Sequence, residues 1–248
     1  MAEKDFITTL NKLDIRRAPD VVEVYCNTVW ANFLKDLNKT KPDNDEISIR
    51  EIKKLTGTKW ALWGLRTIEG KDKEIRLMAC EIVESILPFY NEKYPNDKEV
   101  EEAINIAKDY ANGIVAGDEL DRVKVKIQIK LTKLLPSSLR GAAEFENEPI
   151  RATITTNEGI SEPMYIIAFL RSLIRLVTED IKTLRDRKIT GDSSGDIIDL
   201  VYNKATECYV NHYKNLHQNE DGSNIAELKL QAKEDWNKIV ENILLKYI

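Results

Sequence analysis

A cysteine and a histidine four residues apart are the pair in this sequence that comes nearest to a chemical site. Cys208 and His212 lie one turn apart in a predicted helix, so both side chains can reach the same ion or proton. Two ligands do not complete a zinc site, and His217 falls on the opposite side of that helix. A nucleophilic cysteine would need a lowered thiol pKa, which a mid-helix position does not supply. We therefore expect a buried structural pair, with a metal site and a Cys–His nucleophile as the lesser alternatives.

The motifs that mark common enzyme classes are missing from the sequence. There is no GxxxxGKS/T phosphate loop, no GxGxxG, no GxSxG nucleophile elbow and no HExxH zinc motif. The Glu-x-x-His pair of di-iron helical bundles is also missing. We expect no catalytic residues, no metal and no cofactor. An enzyme of an unrecognised type, centred on Cys208 and His212, stays open as an alternative.

Carboxylates are dense between residues 92 and 121, where nine acidic residues accompany three basic ones. The apolar residues of the helix predicted over 98–114 form one stripe, and Glu101 and Asp109 lie opposite it. One interpretation is a solvated helix face. The other is a surface that docks on a basic protein, because complementary charge speeds encounter and selects partners. For that surface the candidate partner-binding residues are Glu99, Glu101, Glu102, Asp109, Asp118 and Glu119.

A basic stretch follows the acidic one. Residues 122–133 carry five basic residues and no acidic one. Helices that pair acidic and basic faces within the chain would explain both stretches without any partner. The basic stretch has no interleaved aromatic residues, so it is a poor platform for nucleic acid.

Composition and charge restrict the class of protein. The chain has 248 residues, of which 42% are apolar and 32% charged, which is typical of a globular protein. A net charge of −5 offers no basic field for nucleic acid or anionic lipid. The first residues lack the apolar core of a signal peptide, no run approaches the length of a membrane span, and three widely spaced cysteines fit reduced thiols. We expect a cytoplasmic protein that binds neither nucleic acid nor membrane, built as a single domain over 1–248 with a soft division near 136–163.

Apolar residues recur at three- and four-residue steps along most of the chain and predict helices. These span 3–14, 19–38, 71–94, 98–114, 162–187, 193–217 and 223–247, with shorter helices after Ser48 and from Thr58 that are separated at Gly57. We expect a loop over 39–46 and a kink or break near Leu87, caused by Pro88. The helix over 98–114 should have its N-cap at Asn96 or Asp97 and should end at Gly113 and Gly117. We also expect Ile114, Leu216 and Ile225 to be buried. Short connections favour antiparallel neighbours, so the predicted fold class is an all-α antiparallel multi-helix bundle, with a helical-repeat-like stack as the alternative.

Two segments are less regular. Residues 122–133 alternate apolar and polar residues as a strand does, but Leu120, Val123, Ile127 and Leu131 also form a helical face. We favour a helix, because the one candidate partner strand is Ile150–Thr155 and an isolated two-stranded ribbon is marginally stable. Residues 136–163 are expected to be irregular, with a short helix over 138–146.

Three short motifs follow one another in the segment 71–117. Residues 82–90 read IVESILPFY, residues 94–97 read YPND, and the next helix contains Ala103-Ile104. With these motifs the segment resembles the all-helical immunity protein family five of bacterial polymorphic toxin systems. The positions that match the family pattern are Glu84, Leu87, Pro88, Pro95, Asp97, Ala103 and Ile104. Ile82 stands where the family often has Cys, and Glu99-Val100 where it often has Arg-Pro.

The resemblance implies a non-catalytic cytosolic antidote that neutralises a cognate toxin by stoichiometric binding. Its partner would be a protein, and we expect a basic cleft on it that faces the acidic residues of 98–121. The resemblance covers less than a quarter of the chain and includes a helical hairpin. The alternative function is a helical scaffold or interaction protein of phage or mobile-element origin without a toxin partner. The oligomeric state is left open.

Overall fold

Helices make up most of the architecture. A computed structural model of the chain describes residues 6–13, 23–65, 67–135, 164–177, 197–217 and 225–248. Within these ranges it has ten helices and one two-stranded sheet, so the predicted all-α bundle is confirmed. The elements in chain order are β1 (Ile7–Thr9), α1 (Leu10–Leu13), α2 (Glu23–Asp36), β2 (Glu46–Ser48), α3 (Ile49–Thr56), α4 (Thr58–Leu65), α5 (Asp72–Lys93), α6 (Lys98–Ala111), α7 (Gly117–Leu134), α8 (Met164–Leu176), α9 (Ile197–His217) and α10 (Ile225–Tyr247).

Two helices form the centre of the core. Helix α5 packs against α6, α8, α9 and α10, and α8 packs against α5, α7 and α9. Helix α8 is apolar nearly all the way round, with residues 165–170 all buried, as expected of a helix surrounded by others. The Phe169 ring of α8 stacks on Tyr90 of α5 with centroids 4.8 Å apart.

Side-chain contacts show that chain neighbours run antiparallel. Tyr90 near the end of α5 contacts Asp97 at the start of α6, while Glu84 farther back contacts Lys108 farther on. Helices α9 and α10 also pack against each other, and the Trp236 indole N–H donates to the Thr206 hydroxyl at 2.7 Å. The short connections therefore predicted the neighbour relations correctly.

The first predicted helix is wrong at its beginning. Residues 7–9 form β1, which pairs antiparallel with β2 in the register Ile7 with Ser48 and Thr9 with Glu46. Among the described residues of the predicted helix 3–14, only those of α1 are helical. The sequence Ile-Thr-Thr suits a strand, but its partner lies about forty residues later, which local periodicity does not reveal. For the same reason the predicted loop over 39–46 ends one residue early, because Glu46 opens β2.

The break between α3 and α4 is confirmed. The Ser48 hydroxyl accepts a hydrogen bond from the backbone N–H of Glu51 and caps α3. Gly57 ends that helix with φ 92°, a backbone conformation that side chains with a Cβ rarely adopt.

Helix α5 continues through its proline. Pro88 lacks an N–H, which leaves the carbonyl of Glu84 without its helical donor at a typical cost of about 3 kcal/mol. Of the predicted kink or break near Leu87, the break does not occur, because α5 runs on to Lys93. The buried residues Ile86 and Tyr90 flank the proline, so tertiary packing on both sides keeps the helix continuous.

Helix α6 begins as predicted but ends differently. The Asp97 carboxylate accepts a hydrogen bond from the backbone N–H of Glu99, which confirms the N-cap. Gly113 follows the helix with φ 72°. Gly117 was also predicted to end this helix, but it is instead the first residue of α7.

The ambiguous segment 122–133 is helical throughout, as we favoured, and it belongs to α7. The buried residues of α7 are Leu120, Val123, Ile127 and Leu131. These are the residues of the predicted helical face, whereas a strand would have buried every second residue.

Three residues expected in the core are exposed. Ile114, Leu216 and Ile225 lie at or beyond helix ends, where the apolar stripe runs past the packed part of the neighbouring helix.

Several predictions lie outside the described residues. These are the irregular segment 136–163, its short helix over 138–146, and the outer parts of the helices predicted over 162–187, 193–217 and 223–247. The single domain with a soft division near 136–163 stays a prediction. Among the described helices, none combines the length and the apolar character needed to cross a membrane.

Candidate partner-binding surface

All six candidate partner-binding residues lie on the hairpin of α6 and α7. Glu99, Glu101, Glu102 and Asp109 belong to α6, and Asp118 and Glu119 to the first turn of α7. Acidic residues in first turns are stabilised there by the helix dipole, which helps both helices to form. The structure therefore places the six carboxylates on one supersecondary unit.

Half of the six pair with basic residues of α7. The Glu102 carboxylate lies 3.0 Å from both Arg122 and Lys126, and Glu119 lies 2.7 Å from Arg122. Glu99 lies 2.8 Å from Lys130. These pairs are the internal matching of acidic and basic faces that was one of the two interpretations of the charge pattern.

The outer pairs contribute modestly to stability. Hydrogen bonds from Lys126 and Arg122 lower the pKa of Glu102, and bonds to Glu119 and Glu102 raise the pKa of Arg122. Each of these side chains is about a third or more exposed, so solvent and salt screen the attraction. Exposed pairs of this kind add little to the free energy of unfolding. Their main effect is to neutralise charge that a partner would otherwise meet.

The other three candidates carry charge outward. Glu101 is exposed near the beginning of α6, Asp109 is half-buried about two turns farther along, and neither forms an ion pair among the described residues. Asp118 is exposed and accepts a hydrogen bond from the backbone N–H of Glu119. A partner with a basic surface would meet these three carboxylates without having to displace an internal cation.

Asp97 connects three helices, a role beyond the predicted N-cap. It accepts a hydrogen bond from the Tyr90 hydroxyl of α5 at 2.6 Å and pairs with Lys130 of α7, while its other oxygen caps α6. Burial alone would raise the pKa of Asp97, but the bonds from Lys130 and Tyr90 hold it below its ordinary value. Its side chain is only 13% exposed, so this pair is better protected from solvent than the outer ones.

A buried arginine was missed by the sequence analysis. Arg76 of α5 is buried, and its guanidinium donates to the carbonyl oxygen of Leu176 at the end of α8 at 2.9 Å. It also lies over the Tyr110 ring of α6 at 4.8 Å. The signal that could have revealed it is its place among apolar residues, next to Ile75 and one turn before Cys80. The guanidinium holds a helix end in the core and lines no surface.

Cys208 and His212 are both buried, as expected for a structural pair. The imidazole of His212 stacks on Phe89 with ring centroids 3.9 Å apart and meets the Tyr165 ring edge-on. Burial raises the pKa of the Cys208 thiol and lowers that of His212, although Glu92 at 3.9 Å opposes the shift of the histidine. A neutral thiol and a neutral imidazole result, which differs from the thiolate–imidazolium pair of a cysteine nucleophile.

Burial also raises the pKa of the Cys80 thiol, to about 12. Within the described ranges, no three His, Cys, Asp or Glu side chains are grouped so that they could hold a metal ion.

Most of the hairpin lies within a segment of the chain that matches a known family model. Residues 66–129 match the family model of the Imm-5 like putative immunity protein. The matched segment contains α5, α6, most of α7 and all six candidate residues, and it includes the segment 71–117 on which the resemblance was based. The partial resemblance is thereby confirmed. No curated protein and no solved structure matches the chain.

The motif residues of the immunity-protein match have visible structural roles. Glu84 pairs with Lys108 across α5 and α6, Asp97 joins three helices, and Ala103 and Ile104 are buried. Pro88 is accommodated within α5. These residues build the hairpin, and the candidate partner-binding residues lie on the surface that it presents.

Proposed function

We propose that this protein is a non-catalytic immunity protein that neutralises a cognate toxin by stoichiometric binding. The observation that carries the proposal is the immunity-protein match over residues 66–129, which contains α6, most of α7 and all six candidate residues. An antidote of this kind needs a stiff surface that complements its partner, because ordering a flexible surface would cost binding free energy. An α6–α7 hairpin held by ion pairs and by the Asp97 contacts meets that need.

The proposed binding surface consists of the six candidate residues, with unequal contributions. Glu101, Asp109 and Asp118 have the largest effect, because no internal cation among the described residues neutralises them. Glu99, Glu102 and Glu119 share their charge with α7 and mainly set the shape of the hairpin. The partner that fits is a protein with a basic cleft, and a toxin that acts on an anionic substrate in the bacterial cytoplasm has that chemistry.

The test is direct binding to the protein encoded by the adjacent reading frame. We expect a one-to-one complex with the wild-type chain, and relief of growth arrest when the two genes are expressed together. The double variant Glu101→Lys/Asp109→Lys should raise Kd by about tenfold or more and flatten the dependence of the association rate on salt. Both positions avoid the internal ion pairs, so the hairpin should stay folded.

The matched control reverses two exposed acids elsewhere. The double variant Asp36→Lys/Glu234→Lys changes the net charge equally, on α2 and α10. It should bind like the wild type. Equal losses for both double variants would reduce the effect to net charge and refute the assigned surface. If the wild-type chain forms no complex and gives no protection, the immunity role is wrong and the scaffold alternative gains.

A further inference from the structure

Two apolar residues lie exposed on the outside of α7. Val125 and Ile129 are one turn apart, and their exposed fractions are 52% and 51%. Ile114, in the turn that leads into the helix, is 69% exposed. On the same side, Asp118 and Asp121 are exposed toward the beginning of α7. We call Asp118, Asp121, Val125 and Ile129 the α7 outer stripe.

The hairpin does not use this stripe in folding. One side of α7 is buried in the core through Leu120, Val123, Ile127 and Leu131. A second side forms the ion pairs to α6 through Arg122, Lys126 and Lys130. The stripe is the third side, and the described residues leave it largely uncovered.

Apolar residues at these positions oppose the local preferences of the helix. Valine and isoleucine are poorer helix formers than the lysine or glutamine that surface positions usually carry, because their branched Cβ loses rotamer freedom. The corresponding outer side of α6 carries the polar residues Glu101, Asn105 and Asp109. Two adjacent helices of one hairpin therefore differ in their outer sides, and the packing among the described residues does not account for the apolar pair on α7.

The charges around the stripe indicate the chemistry of an occupant. Asp118 and Asp121 flank the apolar pair, and neither forms an ion pair among the described residues. Asp109 of α6 adds a third carboxylate on the same hairpin, while Lys133 lies beyond the far end of the apolar pair. An apolar knob with an acidic flank complements an apolar pocket with a basic rim.

We propose that the α7 outer stripe anchors the toxin: Val125 and Ile129 enter an apolar pocket of that protein, and Asp118 and Asp121 meet lysine or arginine side chains on the pocket's rim. This inference rests on the proposed function and adds the residues that hold the partner once charge has brought it close. Buried apolar anchors slow dissociation, whereas charges at the rim mainly set the association rate.

The test uses the full chain and the purified protein of the adjacent reading frame. In Val125→Gln/Ile129→Gln, Kd should rise about thirtyfold, chiefly through faster dissociation. Glutamine is a good helix former, so thermal unfolding of this variant should match the wild type. The control is Ile225→Gln/Leu230→Gln, which removes equally exposed apolar residues from α10, at 58% and 60%, and should leave Kd within about twofold.

The outcomes separate the two proposals. If the wild type binds and Glu101→Lys/Asp109→Lys weakens the complex but the glutamine pair does not, only the anchoring role is refuted. If the wild type does not bind, the proposed function fails and the anchoring role fails with it. If sedimentation shows a wild-type dimer that the glutamine pair dissociates while toxin binding is unchanged, a second copy of the chain occupies the stripe and the anchoring role is again refuted.

Discussion

The core around α8 and the α6–α7 hairpin are both helical, yet different forces hold them together. In the core, large apolar side chains such as Phe169 are completely buried and stack on neighbouring rings. In the hairpin, one buried stripe is supplemented by ion pairs whose members are partly exposed. Burial of apolar area stabilises strongly and without specific direction, whereas exposed pairs add little energy but fix the register of two helices. A binding protein needs both, because the core supplies stability and the hairpin supplies a defined surface.

The largest expected effect is the loss of stability when a buried core side chain, compared with an exposed one, is truncated to alanine. Phe169→Ala should lower the free energy of unfolding by about 3–5 kcal/mol, because it removes a fully buried ring and leaves a cavity. Urea denaturation measures the change. Leu230→Ala on α10, where the side chain is 60% exposed, is the control and should stay within about 0.5 kcal/mol. Similar losses in both variants would contradict the contrast between core and surface.

An intermediate effect is expected at the one well-protected ion pair of the hairpin. Asp97→Asn keeps an N-cap residue but removes the charge that pairs with Lys130, and should cost about 1–2 kcal/mol at neutral pH. Because the folded pKa of Asp97 lies below its ordinary value of 3.8, the unfolded chain takes up the proton first as the pH falls. The wild type therefore loses this contribution at pH values below about 4, and the variant has none to lose.

Urea denaturation of Asp97→Asn at pH 7 and pH 3 tests this prediction. The difference between variant and wild type should shrink toward pH 3. Asp36→Asn, at an exposed position, is the control and should leave both values near those of the wild type. A difference that stays constant with pH would show that Asp97 acts through shape and not through charge.

The smallest expected effect is a pH dependence that originates in the core. His212 is buried and its folded pKa lies below the ordinary value of 6.5, so the unfolded chain protonates first on acidification. Stability should fall as the pH drops below about 6.5, by at most about 1.4 kcal/mol per pH unit, until the folded pKa is reached. His212→Gln should remove that slope, whereas His217→Gln should retain it. Unfolding measured between pH 5 and pH 7.5 decides the matter, and an unchanged slope in His212→Gln would refute it.

Much of the helical architecture could be predicted from local patterns. Helices α5, α6, α9 and α10 follow from apolar spacing, and the caps at Ser48 and Asp97 follow from residue type. The strand β1 could not be predicted, because its partner β2 is remote in the chain. The continuous α5 at Pro88 could not be predicted either, because packing on both sides outweighs the local cost.

The location of the candidate site could be predicted from the sequence, but which of its carboxylates form ion pairs could not. The density of carboxylates over 92–121 indicated the hairpin. Which of them pair with Arg122, Lys126 and Lys130 depends on how α6 lies against α7. The role of Arg76 could not be predicted, because its partners, the Leu176 carbonyl and the Tyr110 ring, belong to other helices.

The sequence by itself determined that the chain is built of amphipathic helices, where α5 begins and ends, where α6 begins, and that one hairpin concentrates acidic residues. Only the tertiary structure decided which carboxylates are neutralised, that Asp97 joins three helices, and that Val125 and Ile129 remain outside. The physical reason is the distance along the chain over which each interaction acts. Periodicity and capping act within one or two turns, whereas burial and ion pairing depend on which helix faces lie against each other.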